Sequence, residues 1–384
     1  MPTPTGSSSC PGSCTIKRAP VVMTKDANDF VTLHQIVRAA RDALNDNVWD
    51  YVIGGADTET TVKRNRHALD RLAFRPRVLN DVTGLDVSGT LFGRKLRIPV
   101  VLAPIGSLQD LHPDGGAGAA RAAAEFGTIS MLSSVCKPGL EKVAAAASGE
   151  NRIFQLYVRG DDAWIDDFAT RAIAGEYTAF CMTVDLDHYG RRERDIAKGH
   201  LSTSRRTMAS GEDFQKSLNW DHVKRFKDAH AIPLILKGIA TAEDAGRAVE
   251  LGVDGIYVSN HGGRQLDHGR GGIDVLPEVV DAVGGKAQII VDGGFMRGAD
   301  VVKAMALGAD AVGIGRLQAF GAAAAGQAGM VRVLELLETE ISICLGLLGV
   351  TGFDALDKSY LFADVSVTPP HVLSAFPLLD EEGF

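Results

Sequence analysis

The stretch AQIIVDGGFMRGADVVKAMALGADAVGIGR, residues 287–316, places two short apolar runs on either side of an alanine-rich helical pattern. The first run, 287–294, ends in Asp-Gly-Gly, and the second, 311–316, ends in Gly-Arg. Both runs are mostly apolar along their length, which is typical of parallel strands that are covered on both faces. The stretch therefore predicts a β-α-β unit.

Six further apolar runs precede this stretch, with amphipathic segments between them. Together the predicted strands are 98–104, 128–134, 152–158, 179–185, 232–238, 255–260, 287–294 and 311–316. Helix signals separate them; Thr241, for example, is a predicted N-cap that is followed by Asp244. Eight β-α units in series predict an α/β fold of the (β/α)8 TIM-barrel class.

The segments outside these units complete the predicted domain organisation. Segments 32–52 and 58–72 predict N-terminal helices that cover one end of the barrel, and 321–348 predicts a long last helix. Residues 1–28, rich in Ser, Pro, Gly and Thr, predict a disordered tail, which leaves 29–384 as a single cofactor-binding barrel domain. The polar interval 190–231 predicts either a lid or a disordered loop.

Composition limits the classes of function. The chain is 45% hydrophobic and 23% charged, which is ordinary for a globular protein, and its net charge of −8 argues against nucleic-acid binding. The five irregularly spaced cysteines fit a reducing compartment, and a metal pair at Cys10 and Cys14 lacks a second pair of ligands. No apolar run is long enough for a membrane span, and no signal peptide is evident. We therefore expect a cytoplasmic protein without a metal site.

Polar, flexible and cationic residues follow the predicted strands, at the ends where barrel active sites lie. They are Pro104, Ile105 and Gly106; Ser133; Gln155 and Tyr157; Thr183, Asp185 and Arg192; Lys237; Ser259, His261 and Arg264; Asp292, Gly293 and Gly294; and Gly315 and Arg316. The glycine-rich ends of strands seven and eight, with Arg316, suit a phosphate group. Lys237, Arg192 and Arg264 face one cavity and require an anion, such as a carboxylate-bearing substrate beside a phosphorylated cofactor.

The motif SNHGGRQLD, residues 259–267, resembles the active-site signature of the FMN-dependent 2-hydroxy acid oxidases and dehydrogenases. This family includes glycolate oxidase, lactate oxidase, lactate monooxygenase and mandelate dehydrogenase. RNRHALDRLAFRPRVL, APIG, FQLYV, the segment from TVD to GRRERD, and the stretch from DGG to GIGR resemble family stretches in the same order. The resemblance extends over roughly 47–352 and implies the TIM-barrel fold with FMN as the cofactor.

The resemblance implies roles for the residues that would bind and oxidise the substrate. His261 matches the catalytic base, and Asp185 would orient it. Tyr157 would bond the substrate hydroxyl, while Arg192 and Arg264 clamp the carboxylate. Tyr51, in the N-terminal stretch WDYVIGGA, would assist that clamp.

The cofactor roles follow from the same resemblance. Lys237 would lie near N1 and O2 of the flavin, and Ser133, Gln155 and Thr183 would bond its ring. The backbone around Gly106, with Pro104 and Ile105, would face N5. The remaining predicted FMN contacts are Ser259, Asp292, Gly293, Gly294, Gly315 and Arg316.

The implied reaction is oxidation of an (S)-2-hydroxy acid to a 2-oxo acid, with electrons passing to FMN and then to oxygen or another acceptor. Whether His261 takes the α-proton or the hydroxyl proton stays open. Family members are often tetramers, so we expect a homotetramer. The alternatives are oxidative decarboxylation of the lactate monooxygenase type, a Schiff-base aldolase that uses Lys237, and a flavin- or nucleotide-binding barrel without catalysis.

The chain departs from the family pattern at several positions. Met296 replaces an arginine, with Arg297 next to it, so one phosphate contact is in question. Val135 stands where glycolate oxidases carry a tryptophan, which predicts a pocket for bulky apolar or aromatic side chains. Tyr189 could refill that volume from the neighbouring loop. We also expect Gly106 to leave space beside N5.

Overall fold

The computed structural model describes residues 26–147 and 151–381, and its centre is a closed barrel of eight parallel strands. Each strand pairs with the next one along the chain, and the eighth returns to pair with the first. The barrel strands are β1 Val100–Leu102, β2 Ser130–Ser133, β3 Arg152–Leu156, β4 Ala179–Thr183, β5 Leu234–Ile239, β6 Gly255–Val258, β7 Gln288–Val291 and β8 Ala311–Ile314. This architecture confirms the predicted TIM barrel. The observed strands are shorter than predicted because the residues at most of their ends leave the hydrogen-bonded ladder.

Helices surround the barrel. They are α1 Leu33–Ala43, α2 Asp46–Ile53, α3 Thr60–Asp70, α4 Gly115–Phe126, α5 Leu140–Ala146, α6 Asp162–Ala174, α7 Glu193–Ala197, α8 Thr203–Met208, α9 Glu212–Ser217, α10 Trp220–Ala229, α11 Ala242–Glu250, α12 Gly272–Val283, α13 Gly298–Ala306, α14 Arg316–Leu348 and α15 Leu378–Glu381. The predicted helix 32–52 is two helices, because the Asn45 side chain accepts from the backbone N–H groups of Asn47 and Val48 and caps a new one.

The last long helix begins earlier than the predicted residue 321 and is not continuous. It starts at Arg316 and is interrupted at Ala325 and Gly326. Gly326 has a φ of 60°, and a Cβ atom at this position would lie 2.7 Å from Nε2 of His112. Close packing against His112, in the segment after β1, therefore requires a residue without a side chain.

A hairpin closes the N-terminal end of the barrel. Its strands are Gly89–Leu91 and Arg94–Leu96, and a second antiparallel pair joins Leu72–Phe74 to Leu361–Ala363. Leu91 and Leu96 pack with the apolar side chains that fill the barrel, which are Val101, Met131, Ile153, Cys181, Ile235, Tyr257 and Ile290. The opposite, C-terminal end is the one left for a site.

The predicted disordered tail 1–28 lies outside the described residues except for its last three. Those residues are ordered: Ala27–Asp29 form one turn of 3-10 helix, because the Asp26 side chain accepts from the backbone of Asn28 and Ala27 is buried. Cys10 and Cys14 also lie outside the described part of the chain, and the single-domain organisation stays a prediction. Among the described helices, none combines the length and the apolar character that a membrane crossing requires.

Asp267 fastens helix α3 to the loop that follows β6. Its carboxylate accepts from the backbone N–H of Thr61 at 2.7 Å, of Thr58 at 3.0 Å and of Thr60 at 3.3 Å. The N-cap of α3, Glu59, makes no side-chain capping bond, so Asp267 performs this function from a distant part of the chain. Burial alone would raise the pKa of Asp267, but the bonds from Thr58, Thr61 and neighbouring backbone groups hold it far below its usual value.

We expect Asp267→Asn to lower the free energy of unfolding by about 2–3 kcal/mol at neutral pH, because charged hydrogen bonds are replaced by neutral ones. A carboxylate with a depressed pKa stabilises the fold above its unfolded pKa, about 3.9, and this contribution is lost as pH falls through the folded pKa. In denaturant unfolding, the free energy of unfolding of Asp267→Asn should therefore be lower than that of the wild type by the full amount at pH 7. This difference should narrow below about pH 4. Asp281→Asn, at an exposed position, is the control, and a deficit independent of pH would contradict the assignment.

Candidate active site

A cavity opens at the C-terminal end of the barrel and encloses about 1050 Å³, including its mouth. Most of the residues that were predicted to form the site line it. They are Tyr51, Pro104, Ile105, Gly106, Tyr157, Arg192, Lys237, His261, Arg264, Asp292, Gly293, Gly294, Gly315 and Arg316. The structure thus brings residues from seven of the strand ends and from the N-terminal helices to one place.

The other predicted site residues do not line the cavity; they are Ser133, Gln155, Thr183, Asp185 and Ser259. Gln155 Nε2 donates to Thr183 Oγ1 at 2.9 Å, and both residues are fully buried. Gln155 Oε1 has no hydrogen-bond partner among the described residues. Ser133 is also buried, and its hydroxyl oxygen lies 3.5 Å from the backbone nitrogen of Val135. An unpaired buried acceptor is costly unless a ligand supplies the missing donor.

His261 is held between a carboxylate and a phenol. Its Nδ1 lies 3.0 Å from Asp185 Oδ1, and its Nε2 lies 3.2 Å from the hydroxyl of Tyr157. With Asp185 accepting the Nδ1 proton, Nε2 is the free base, and Tyr157 donates to it. The backbone of His261 has a φ of 58°, in the left-handed region, and its N–H donates to the hydroxyl of Ser259 at 3.1 Å. The loop after β6 therefore fixes the backbone of His261, while Asp185, after β4, sets the tautomer of its ring.

The protonation states in this group follow from burial and charge. Burial lowers the pKa of His261 and outweighs the opposing effect of Asp185, so the imidazole is neutral at pH 7. Burial alone would raise the pKa of Asp185, but His261 and Lys237 hold it below its usual value. Burial raises the pKa of Tyr157 well above its ordinary range, so its hydroxyl stays protonated. The arrangement is that of a general base with an ionised orienting partner.

Two buried arginines face the cavity without a carboxylate partner in the described part of the chain. Arg264 Nη1 donates to the carbonyls of Tyr51 at 2.6 Å and Gly54 at 3.1 Å. Arg316 donates to the carbonyls of Val52 at 3.0 Å and Gly54 at 2.8 Å, and to that of Gly262 at 2.9 Å. Burial, followed by the positive charge of Arg264, lowers the pKa of Arg316 to about 9. Carbonyl dipoles compensate these charges only in part, so the cavity favours anions.

Arg192 and Tyr51 complete the cationic side of the cavity. The guanidinium of Arg192 lies 4.3 Å from the ring centre of Tyr189, and its buried Nε has no hydrogen-bond partner among the described residues. The guanidinium of Arg264 lies 4.7 Å from the ring centre of Tyr51. Burial alone would raise the pKa of Tyr51, but Arg264 and Arg192 outweigh it and lower the pKa. Two guanidinium groups and a polarised phenol therefore meet at one point.

Lys237 differs from the arginines because an acidic residue is close to it. Its Nζ donates to the Ser259 hydroxyl at 2.8 Å and lies 3.7 Å from Asp292 Oδ2. The Ser259 hydroxyl in turn donates to Asp292 Oδ1 at 2.6 Å. The amine of Lys237 is therefore engaged by Ser259 and Asp292, whereas a Schiff-base nucleophile needs a free amine. This contact argues against the aldolase alternative.

Sequence reasoning missed the part that helix α8 plays in the site. The interval 190–231 is neither disordered nor structureless, since it forms α7, α8, α9 and α10. Ser204 and Met208 of α8 line the cavity. The Thr203 hydroxyl donates to Asp110 at 2.6 Å, and the Ser204 N–H donates to the Ser107 hydroxyl at 2.8 Å. An isolated methionine in a polar stretch, preceded by the N-cap Ser202, was the available signal.

The expected free space beside Gly106 is absent, so that prediction is wrong. A Cβ atom at Gly106 would lie 2.8 Å from Cβ of Ser204 and 2.9 Å from Cγ2 of Val135. Val135 does not line the cavity but packs with Tyr157, Leu186 and Met208. The volume that a tryptophan would have filled is therefore occupied by helix α8 and the residues after β4.

Comparison with known proteins agrees with this geometry. Residues 40–363 match the family described as FMN-dependent dehydrogenase. The L-lactate oxidase of Nostoc sp. is 36% identical over 356 residues, which cover 86% of this chain and 98% of that protein. The glycolate oxidase of Spinacia oleracea is 36% identical over 357 residues, covering 88% and 96% of the two chains. A crystal structure of mandelate oxidase has a TM-score of 0.81 and 38% identity, covering 88% of this chain and 99% of its own.

A closed parallel barrel with its polar cavity at the C-terminal mouth defines a TIM-barrel enzyme. The chain belongs to the family of FMN-dependent dehydrogenases, and its cofactor is FMN. The residues present fit that group. Gln155 Oε1 is an unpaired acceptor for a ring N–H. Gly315 lines the cavity, and a Cβ atom there would project into space that is open for at least 4 Å.

We expect Gly106→Ala to disturb α8 rather than to fill an empty space. The added methyl group would displace Ser204 or Val135 and lower the free energy of unfolding by about 1–3 kcal/mol, the usual cost of overpacking. Hydrogen–deuterium exchange of the backbone amides in 202–208 should become faster. Gly246→Ala is the matched control, since a Cβ atom at that helical glycine meets no atom within 4 Å. Unchanged exchange in 202–208 would show that the segment does not depend on this contact.

Proposed function

We propose that the protein oxidises an (S)-2-hydroxy acid to the corresponding 2-oxo acid. One observation carries the proposal: a neutral histidine, oriented by a carboxylate, faces the same cavity as buried guanidinium groups that lack acidic partners among the described residues. A substrate with a carboxylate next to a hydroxyl-bearing carbon satisfies both features. The relatives named above are oxidases of lactate and glycolate, and this supports the same substrate class here.

The substrate carboxylate would bind to Arg192 and Arg264, assisted by the Tyr51 hydroxyl. Guanidinium groups bind carboxylates in a planar, bidentate manner, which fixes the orientation of the α-carbon as well as the position of the charge. Arg264 is already oriented by the carbonyls of Tyr51 and Gly54. Little side-chain freedom is then lost when the substrate binds, and the bound geometry is close to the reactive one.

His261 Nε2 would take one proton from the substrate, either from the α-carbon or from the hydroxyl. Asp185 stabilises the imidazolium that results, and Tyr157 positions the substrate hydroxyl beside the base. The substrate loses two electrons and two hydrogens in all. When bound, FMN supplies the acceptor for the electron pair and the second hydrogen.

The residues that would hold FMN divide into two groups. Lys237, Gln155, Thr183, Ser133 and the backbone of 104–106 are assigned to the ring. The phosphate is assigned to the ends of β7 and β8, with Gly293, Gly294, Gly315 and Arg316. The other two predicted contacts, Ser259 and Asp292, lie beside Lys237. Positive charge from Lys237 near the ring would favour its reduced, anionic form.

The acceptor that reoxidises the cofactor is proposed to be oxygen, since the relatives are named as oxidases. Oxidative decarboxylation of the lactate monooxygenase type uses the same first step and is the second candidate. A barrel without catalysis is disfavoured by the His261–Asp185 pair, which has no structural need to face a cavity. The cytoplasmic location and the homotetramer stay predictions.

The substrate side chain is proposed to be apolar and larger than hydrogen. Leu111, Leu186, Tyr189 and Met208 line the cavity, and Leu186, Met208 and Tyr189 pack in one cluster with Tyr157, which contacts the base. An apolar wall favours each added methylene of the substrate by about 1–3 kcal/mol. We therefore propose the same preference for bulky acids as the sequence predicts, but we attribute it to Met208 and Leu186, which line the cavity, rather than to Val135.

We expect His261→Gln to bind FMN normally and to lose substrate-dependent bleaching of the flavin by at least about a hundredfold, as for removal of a positioned base. The measurement is anaerobic stopped-flow absorbance with lactate or mandelate. His268→Gln, in the same loop but 66% exposed in its side chain, is the control and should be unaffected. In the unmodified enzyme, bleaching should be lost as pH falls through the lowered pKa of His261, below about 6.5. Normal bleaching in His261→Gln would refute the base assignment.

We expect the wild-type enzyme to prefer 2-hydroxyoctanoate and mandelate to glycolate. Met208→Ala should then reduce kcat/KM for 2-hydroxyoctanoate by about tenfold, because roughly 1.4 kcal/mol of apolar contact is lost. Glycolate, which has no side chain, should be unchanged and serves as the internal control. Val135→Ala, outside the cavity wall, should have a smaller effect on the ratio of kcat/KM for 2-hydroxyoctanoate to that for glycolate. Wild-type preference for glycolate, or an equal loss for both acids, would contradict the proposed wall.

A further inference from the structure

The end of the cavity beside β7 and β8 combines open backbone with apolar side chains. Gly293 and Gly294 have φ values of 107° and 86° and line the cavity together with Gly315. The next two residues, Phe295 and Met296, also line it and are almost fully buried. In barrels the ends of strands seven and eight commonly hold a phosphate group. Phe295 and Met296 provide no charge for such a group.

Arg297 does not compensate for this apolar wall. It does not line the cavity; its Nη2 lies 2.6 Å from Glu340 Oε1, and its Nε lies 3.1 Å from Glu340 Oε2. Its remaining donor, Nη1, lies 3.2 Å from the carbonyl of Ala375. A bidentate ion pair of this kind fixes a guanidinium firmly. Arg297 is therefore committed to α14 and the C-terminal segment rather than to a ligand.

The guanidinium groups of the cavity lie close together on the side of helix α2, since Arg264 and Arg316 both donate to the carbonyl of Gly54. Arg192 and Arg264 lie on the side of the base, next to Tyr189 and Tyr51. In the described part of the chain, Arg316 is the guanidinium that follows β8 and lines the cavity. Its Nε, Nη1 and Nη2 each already donate to a backbone carbonyl. A phosphate dianion would thus meet one partly engaged guanidinium and backbone N–H groups.

We propose that this chain holds the FMN phosphate with the single guanidinium of Arg316, because Met296 presents an apolar side chain and Arg297 is turned away. Bound FMN then exchanges readily with free flavin. The inference rests on the assignment of β7 and β8 to the phosphate. It describes the affinity for the cofactor and not the oxidation itself. An enzyme of this kind would be partly unloaded at low flavin concentration.

Flavin binding to the full-length protein tests this inference without an activity measurement. Holoenzyme is diluted and the fluorescence of released flavin is recorded; the flavin-free protein is then titrated with FMN and with riboflavin, which lacks the phosphate. The wild type should bind FMN at most about a hundredfold more tightly than riboflavin, the contribution of one charge-assisted contact. Arg316→Met should bring the two affinities together.

Met296→Arg is the decisive variant. A second guanidinium should tighten FMN binding by about tenfold or more and leave riboflavin binding unchanged. Met296→Leu is the neutral control at the same position, and Arg297→Met, one residue along, is the matched control for charge; neither should alter the FMN-to-riboflavin ratio. Met296→Lys supplies the charge on a more flexible side chain if the arginine variant fails to fold.

The outcomes separate this inference from the proposed reaction. An unchanged FMN-to-riboflavin ratio in both Met296→Arg and Met296→Lys overturns it, and so does a larger loss in Arg297→Met than in Arg316→Met. Either result would leave substrate-dependent bleaching of the flavin, and with it the proposed oxidation, intact. Failure to bind either flavin would instead overturn the cofactor site as a whole.

Discussion

The site depends on the C-terminal end of helix α2, whose carbonyl groups hold two buried arginines. The carbonyls of Tyr51, Val52 and Gly54 accept from Arg264 and Arg316, which follow β6 and β8 and are distant from α2 in the sequence. The last carbonyls of a helix have no partner within it and carry the negative end of its dipole. Cations are therefore favourable at this position. Dipoles are weaker partners than carboxylates, so the arginines are oriented while much of their charge stays available to ligands.

The N-terminal helices are in this way part of the site and not only a cover. Helix α3 is bound to the loop after β6 by Asp267, and Asn65 and Asn260 exchange two side-chain amide hydrogen bonds, of 3.0 and 2.8 Å. The same loop carries His261 in a left-handed conformation that is unfavourable for a residue with a side chain. These contacts from α3 fix the loop on both sides of His261 and offset the cost of that conformation.

The sequence was sufficient for the barrel and for most of the cavity lining because both follow local rules. Each barrel strand is a short apolar run, and the C-terminal ends of parallel strands must meet at one face. The positions of Gly106 and Val135 relative to α8 could not be predicted in the same way. They depend on how the polar segment 202–208 folds back over β1 and β2, which is decided by long-range bonds from Ser107 and Asp110. Arg297 is similar, since only its distant partner Glu340 shows that it leaves the cavity.

The charges in the cavity fall into compensated and uncompensated sets, and this division explains which ligands the site can accept. Lys237 lies beside Asp292, so this pair adds little net charge, whereas Asp185, the partner of the neutral His261, contributes a charge of −1. Arg192, Arg264 and Arg316 contribute three positive charges, against a carboxylate of −1 and a phosphate of about −2. With Asp185 counted, these groups leave a net charge of about +2 for the proposed carboxylate and phosphate, and two of the three guanidinium groups, those of Arg264 and Arg316, share the Gly54 carbonyl. This charge does not match both anions in full, so the proposed cofactor site depends also on buried ring contacts, beginning with the unpaired Gln155 Oε1.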